Sequence, residues 1–226
     1  MRLFKNTRGA FIVGIDEVGR GCLAGDVYAG AVILPAGLNK KLLGAYRLSR
    51  GSASGNFPCR LADSKKLSPH QREAWVLWMR QHAIPYAVAR VSPTVIDRIN
   101  IARACDVAAE RAYRRVRSKN GIVGPMRVIA DGGLAVKTSL GREDFFEHFP
   151  KADEKVPAVS LASIIAKVLR DRAMTRWARR YSAYGFDAHK GYGTKRHYTA
   201  LRMYGATPLH RQTFIRGVLA SARRFV

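Results

Sequence analysis

Phe11-Ile12-Val13-Gly14-Ile15-Asp16-Glu17 is an apolar run, rich in β-branched residues, that closes on two adjacent acids. The run reads as a buried strand over residues 11–15. A second apolar run, Val128-Ile129-Ala130, closes on Asp131. In α/β sheets the groups at the carboxyl ends of strands converge on the ligand crevice, so acids ending two neighbouring strands would meet there. Strand-end acids also serve as turn and cap residues, and the spacing alone leaves both roles open.

Working outward, strands are expected at residues 28–34, 86–91 and 126–130. Ser68-Pro69-His70-Gln71 combines an N-cap, a proline at the first helical position and a capping-box Gln, predicting a helix over 69–82. Ser92-Pro93 repeats the start signal before an Ala- and Arg-rich segment reaching about Ser118. Residues 158–181 form the longest helical pattern, with Leu161, Ile164, Ile165, Val168 and Leu169 at helical spacing. Shorter helices are expected near 194–204 and 211–223. Strands come early and helices late, which predicts a mixed α/β layer fold rather than a bundle or a barrel. Residues 39–60 carry Lys40, Lys41, Arg47, Arg50 and Arg60 around a Gly/Ser stretch without an acid, and read as a mobile basic loop.

The chain has 226 residues, enough for one well-buried core, and a single domain is expected over 1–226. Its 40 Lys and Arg against 16 Asp and Glu leave a formal charge of +24. Such an excess favours a polyanionic partner, because cations that neutralise phosphates release condensed counterions. Cys22, Cys59 and Cys105 are far apart and form no Cys-x-x-Cys pair, which argues against a disulfide framework or a thiolate metal site and fits a reducing, cytoplasmic setting. The apolar runs are strand-sized, short of the roughly 20 residues of a membrane span. The basic start, residues 1–9, lacks a secretory apolar region and is read as part of the mature chain.

Clustered carboxylates repel one another and persist when a cation neutralises them. Mg²⁺ tolerates the water-rich coordination that a few carboxylates offer. Two such ions roughly 3.5–4 Å apart can activate a water and stabilise a leaving oxygen in phosphodiester cleavage. Asp153, in Lys151-Ala152-Asp153-Glu154, and Asp171 are the further acid candidates. Ser160, Ser163, Lys167 and Asp171 fall at i, i+3, i+7 and i+11, a polar stripe that would let one helix face approach the acids.

The segment Gly14-Ile15-Asp16-Glu17-Val18-Gly19-Arg20-Gly21-Cys22-Leu23-Ala24-Gly25 resembles the opening signature of the ribonuclease HII family. Further blocks follow in the family's order: Asp63-Ser64-Lys65-Lys66-Leu67, Ala130-Asp131-Gly132, Ala162-Ser163-Ile164-Ile165-Ala166-Lys167-Val168 with Arg170-Asp171, and His189-Lys190-Gly191-Tyr192. The resemblance runs from about residue 11 to about 218. It implies a ribonuclease H-like mixed sheet flanked by helices, with a helical C-terminal portion from about 175 to 226. It also implies Asp16, Glu17, Asp131 and Asp153 as catalytic, metal-binding acids for Mg²⁺ or Mn²⁺ in a two-metal site. Asp171 would be structural, and His189 would pack or face phosphate.

By the same resemblance, the Gly19-Arg20-Gly21 turn reads the ribose 2′-hydroxyl through backbone groups, and Tyr192 packs against the sugar where RNA passes into DNA. Ser64, Lys65, Lys66, Ser163 and Lys167 would face phosphates. The implied partners are RNA/DNA hybrid and duplex DNA containing ribonucleotides, with no membrane, and the protein is expected to be a monomer. Cys22 and Asp26 stand where the family commonly carries proline, and the 39–60 segment is longer than the family leads one to expect. A non-catalytic nucleic-acid binder and another nuclease of the same core, such as a resolvase, are the competing readings. Acids set against phosphates argue against the first; the Gly-Arg-Gly and His-Lys-Gly-Tyr elements argue against the second.

Overall fold

The computed structural model describes residues 11–48, 57–120, 122, 124–136, 140–141 and 144–222. Strands β1 (Phe11–Val18), β2 (Val27–Pro35), β3 (Tyr86–Val91), β4 (Met126–Asp131) and β5 (Phe145–Phe149) form one sheet in the order β3-β2-β1-β4-β5. β2 runs antiparallel to β1 and β3, whereas β1, β4 and β5 are mutually parallel neighbours. The mixed sheet implied by the family resemblance is therefore present. Every residue of β2 is buried, as a strand covered on both faces requires.

The helices are α1 (Ala36–Leu42), α2 (Pro69–Gln81), α3 (Pro93–Ile99), α4 (Ile101–Asn120), α5 (Pro157–Arg180), α6 (Phe186–His189), α7 (Lys195–Tyr204) and α8 (Gln212–Ala222). Alternation along the strands sorts the core into two layers. Phe11, Val13 and Ile15 of β1 pack against Ala104, Ala108, Ala112 and Tyr113 of α4. On the opposite face, Val32 and Leu34 of β2 meet Leu161, Ile164 and Ile165 of α5, with Trp75 and Met79 of α2. α5 lies directly on the sheet: a Cβ at Gly14 would come within 2.1 Å of the Ala158 backbone. Glycine in β1 is thus what lets the helix approach a strand this closely. A third cluster, including Tyr184, Phe186, Leu201, Leu209 and Ile215, gathers the C-terminal helices around Leu23, Ala24 and Met174. No helix among the described residues is long and apolar enough to cross a membrane.

Three departures from the sequence reading have local causes. The single helix expected after Ser92-Pro93 is two, because Asn100 takes φ 64° and its side chain accepts a hydrogen bond from Arg103 N, starting α4 afresh. The first half of the expected basic loop is instead helical, α1 followed by a 3₁₀ turn at Leu43–Arg47. Leu42 and Ala45 are buried there, and Asn39 Oδ1 accepts from Ala158 N at the start of α5. Arg50 and the rest of residues 49–56 lie outside the described residues. β5, an aromatic strand the periodicity did not single out, completes the parallel side of the sheet.

Candidate active site

β1 and β4 pair in parallel with Ile15 opposite Ala130, so Asp16 and Asp131 leave the same edge of the sheet side by side. Ile129 belongs with Val159 of α5 and Val128 with the α4 layer, so the alternation places Asp16 and Asp131 both on the α5 face. Glu17, the next residue, leaves the opposite face of the strand, where Arg20 reaches it at 3.5 Å, yet lies close enough to Asp16 and Asp131 for their charges to interact. Asp153 arrives through β5. The β4 and β5 register ends with Asp131 opposite Phe149, which returns the chain to the acidic edge. Lys151, in the left-handed region at φ 59°, then opens a 3₁₀ turn at Ala152–Glu154. Ala152 N donates to Asp131 Oδ1 at 2.7 Å, tying that turn to the strand-end acid. Behind it, the Asp153 carbonyl accepts from Ser160 Oγ and from Tyr46 OH.

Burial and neighbouring carboxylates raise the pKa values of Asp16, Glu17 and Asp153. Asp16 sits well above the ordinary carboxylate range, first because it is buried and then because Glu17 is adjacent; a hydrogen bond from Ser163 opposes this, while Asp131 and Asp153 add to it. Burial also raises Glu17, partly offset by Arg20. Asp153 is pushed up to about 6 by burial, then by Asp131 and Asp63. Such a group of carboxylates is held together more easily around a cation. Among the described residues no group of three or more His, Cys, Asp or Glu side chains is placed to hold a metal ion. A hard divalent ion does not need one, since Mg²⁺ keeps several waters and takes only one or two carboxylates per ion alongside phosphate oxygens. The donor set present, all carboxylate, fits such an ion.

Of the residues expected to face phosphates, Lys65 and Lys66 are exposed at the end of the 3₁₀ turn Ser64–Lys66, with Lys66 Nζ 2.7 Å from Glu154. Ser64 and Ser163 are buried and bond to each other at 2.8 Å. Lys167 pairs with Asp171 at 2.9 Å. Asp171 also lies 3.6 Å from Arg72, which donates to the Ser64 and Leu67 carbonyls, so this acid links the Lys167 and Ser64–Lys66 segments and stands apart from the acidic edge. Tyr192 is exposed, with the Lys167 ammonium 5.9 Å from its ring centre. Residues 19–21 form an open turn in which Gly19 is buried and Arg20 and Gly21 are exposed. Ser160 and Ser163 turn the polar stripe toward the acids, while the first turns of α5 are buried all round.

The sequence did not single out what holds the turn and Tyr192 in place. Arg170 and Arg211 are fully buried and, among the described residues, donate only to main-chain carbonyls. Three histidines brace the segment before Tyr192. His189 Nε2 donates to the Tyr184 carbonyl at 2.7 Å and its Nδ1 accepts from Gly191 N. His197 Nδ1 donates to the Tyr192 carbonyl at 2.9 Å. Because His210 Nδ1 accepts from Thr207 N, its Nε2 carries the proton and donates to His197 Nε2 at 3.0 Å. All three rings are therefore neutral, and burial holds His197 and His210 down to about 4. An Arg or His on a polar C-terminal segment has no pattern that separates it from a surface residue. At the two departures from the family, Cys22 Sγ lies 3.9 Å from the Lys190 carbonyl and Asp26 pairs with Arg90 at 2.8 Å.

The family model described as Ribonuclease HII matches residues 56–217. A ribonuclease HII from Pelagibacter ubique (strain HTCC1062) is 37% identical over 203 residues, covering 90% of this chain and 95% of its own. Among solved structures, ribonuclease H2 from Pyrococcus horikoshii OT3 superposes with a TM-score of 0.71 at 25% identity, over 95% of this chain and 99% of its own. Bst-RNase HIII, solved in complex with Mn²⁺, shares the fold at a TM-score of 0.67 and 18% identity, over 96% of this chain and 71% of its own. Sheet order, strand-end acids and these matches define a nuclease with the ribonuclease H fold. Within that class, the chain belongs to the ribonuclease HII family.

Proposed function

We propose that this protein is a metal-dependent endonuclease that hydrolyses the RNA strand of RNA/DNA hybrids and cuts on the 5′ side of ribonucleotides embedded in duplex DNA, leaving 3′-hydroxyl and 5′-phosphate ends. The observation that carries this is the meeting of Asp16, Asp131 and Asp153 at one sheet edge of a chain with a net charge of +24. A protein that only coated nucleic acid would gain nothing from acids set against phosphates. Two Mg²⁺ or Mn²⁺ ions held by Asp16, Glu17, Asp131 and Asp153 would activate a water and stabilise the leaving oxygen; Mn²⁺ in Bst-RNase HIII supports the choice of ion.

The chain's own groups orient the substrate. Lys65, Lys66 and Lys167 lie on the segments flanking the acids and would contact phosphates, with Ser64 and Ser163 at the base of the same segments. Gly19, Arg20 and Gly21 would read the 2′-hydroxyl through backbone groups, since that hydroxyl distinguishes RNA from DNA. Tyr192 would pack on the sugar at the junction. The three cysteines are free and buried, which supports a reducing, cytoplasmic setting. The test is cleavage mapping on duplex DNA carrying one ribonucleotide, with and without Mg²⁺: one Mg²⁺-dependent cut 5′ of the ribose is expected, and cleavage without metal or at unrelated positions would contradict the proposal.

A further inference from the structure

Two fully buried guanidiniums without an acidic partner are costly unless their donors are used. Neither Arg170 nor Arg211 forms an ion pair among the described residues, and the nearby Asp26 carboxylate is paired with Arg90 at 2.8 Å. Apart from one bond from Arg170 to Lys190, both arginines direct their donors to the backbone of residues 19–26. Arg211 Nη1 donates to the Arg20 carbonyl at 2.7 Å, and Nη2 to the Gly19 and Gly25 carbonyls at 2.7 and 2.9 Å. Arg170 donates to the carbonyls of Ala24, Asp26 and Lys190 at 3.2, 3.2 and 2.8 Å. It also fills the space beneath Gly19: at φ +93°, a Cβ there would come within 2.2 Å of Arg170 Nε.

The direction of these bonds has a geometric consequence. No cis peptide occurs among the described residues. A trans peptide is planar, with its C=O and N–H pointing opposite ways. Pulling the Gly19 and Arg20 carbonyls inward onto Arg211 therefore turns the Arg20 and Gly21 N–H groups outward, on residues that are exposed. Arg211 is tied in turn to the segment that braces Tyr192, since Arg211 N donates to the Leu23 carbonyl and its neighbour His210 bonds to His197.

We propose that Arg211, with Arg170 packed beneath it, is the positioning residue that holds the Gly19–Gly21 turn with its N–H groups outward, and so sets how strongly the site distinguishes ribose from deoxyribose. This rests on the reading above that the turn contacts the 2′-hydroxyl. Arg211 touches no substrate in this scheme; it acts through two carbonyls. A guanidinium suits the task because its donors diverge from a rigid plane, whereas an ammonium offers a point charge on a flexible stem.

The test measures the ratio of affinities for duplex DNA with one ribonucleotide and for the same duplex all-deoxy, in Ca²⁺ to suppress cleavage, for wild type, Arg211→Lys, Arg211→Gln and Gly21→Pro. Met79→Ala, on the buried face of α2, serves as a destabilised control. The ratio should fall by about tenfold in Arg211→Gln, the scale of one well-placed hydrogen bond, and by less in Arg211→Lys. Affinity for the all-deoxy duplex should hold, and Met79→Ala should keep the wild-type ratio. Folded Arg211 variants with an unchanged ratio, while Gly21→Pro loses it, would overturn the positioning role and leave the turn's reading intact. An unchanged ratio in Gly21→Pro would instead overturn the reading of the turn, and the positioning role with it. Should neither Arg211 variant fold, amide and guanidinium NMR on the intact protein decides. Joint shifts of the Gly21 amide and Arg211 Nη signals on adding the ribonucleotide duplex, and not the all-deoxy one, support the proposal; a Gly21 shift without Arg211 overturns it.

Discussion

Ser163 on α5 links two parts of the site: its hydroxyl bonds to Ser64 Oγ at 2.8 Å and lies near enough to the Asp16 carboxylate to lower its pKa. Both serines are buried, so removing one hydroxyl leaves the other without its partner. Ser163→Ala should cost about 1–3 kcal/mol of stability and lower single-turnover cleavage, because Asp16 loses its donor. Ser64→Ala with Ser163→Ala should recover part of that stability. Denaturant unfolding of the four species gives the coupling; strict additivity would mean that the two hydroxyls are independent.

Mutual repulsion among Asp16, Glu17 and Asp153 predicts a metal effect on stability. An ion that binds only the folded protein stabilises it by mass action, by about 2.7 kcal/mol at a hundredfold excess over its Kd. Mg²⁺ or Mn²⁺ should raise the Tm of wild type, and the increment should shrink in Asp131→Asn. Equal increments in both proteins would place the ions elsewhere.

Tyr192 separates positioning from metal binding. Tyr192→Ala should slow cleavage at a single embedded ribonucleotide by about tenfold to a hundredfold, the range associated with a misplaced reacting phosphate. All-RNA hybrid should be affected less, and the metal-induced rise in Tm should not change. Small and equal losses on both substrates would remove Tyr192 from the junction.

His197 and His210 predict a pH dependence with a definite sign. Each is held down to about 4 in the folded protein, against about 6.5 in an unfolded chain. Between those values the unfolded state binds more protons, so stability is full above about pH 6.5 and is lost as pH falls toward 4. His210→Gln should flatten the fall in Tm between pH 7 and pH 5, whatever its effect at pH 7. A slope equal to that of wild type would show that the pair is not the source.

How far the sequence could be read follows from where each signal is local. Asp16 and Asp131 were legible because apolar runs end on them and parallel strands bring such ends together. The α2 cap was legible because Ser68, Pro69 and Gln71 sit within one turn. Asp153 had a motif but no placement, since its position depends on β5, whose Phe145-Phe146-Glu147-His148-Phe149 shows no clean alternation. Residues 39–47 were misread because their lysines and arginine outweighed Leu42, Ala45 and Tyr46, which face the start of α5. Arg170, Arg211 and the histidines were invisible because their partners are carbonyls and rings distant in sequence, contacts that leave no periodic trace.

The most direct test compares wild type, Asp16→Asn, Asp131→Asn and Asp153→Asn in single-turnover cleavage of duplex DNA with one ribonucleotide in Mg²⁺, with binding measured on the same duplex. Wild type should cut once, 5′ of the ribose, and each variant should lose about a hundredfold or more in rate, the scale of removing one preorganised electrostatic group. Binding should be unchanged or tighter, since a negative charge near the phosphates is gone. Variants that cleave at the wild-type rate, or lose rate only as far as they lose binding, would contradict the assignment of these carboxylates to catalysis.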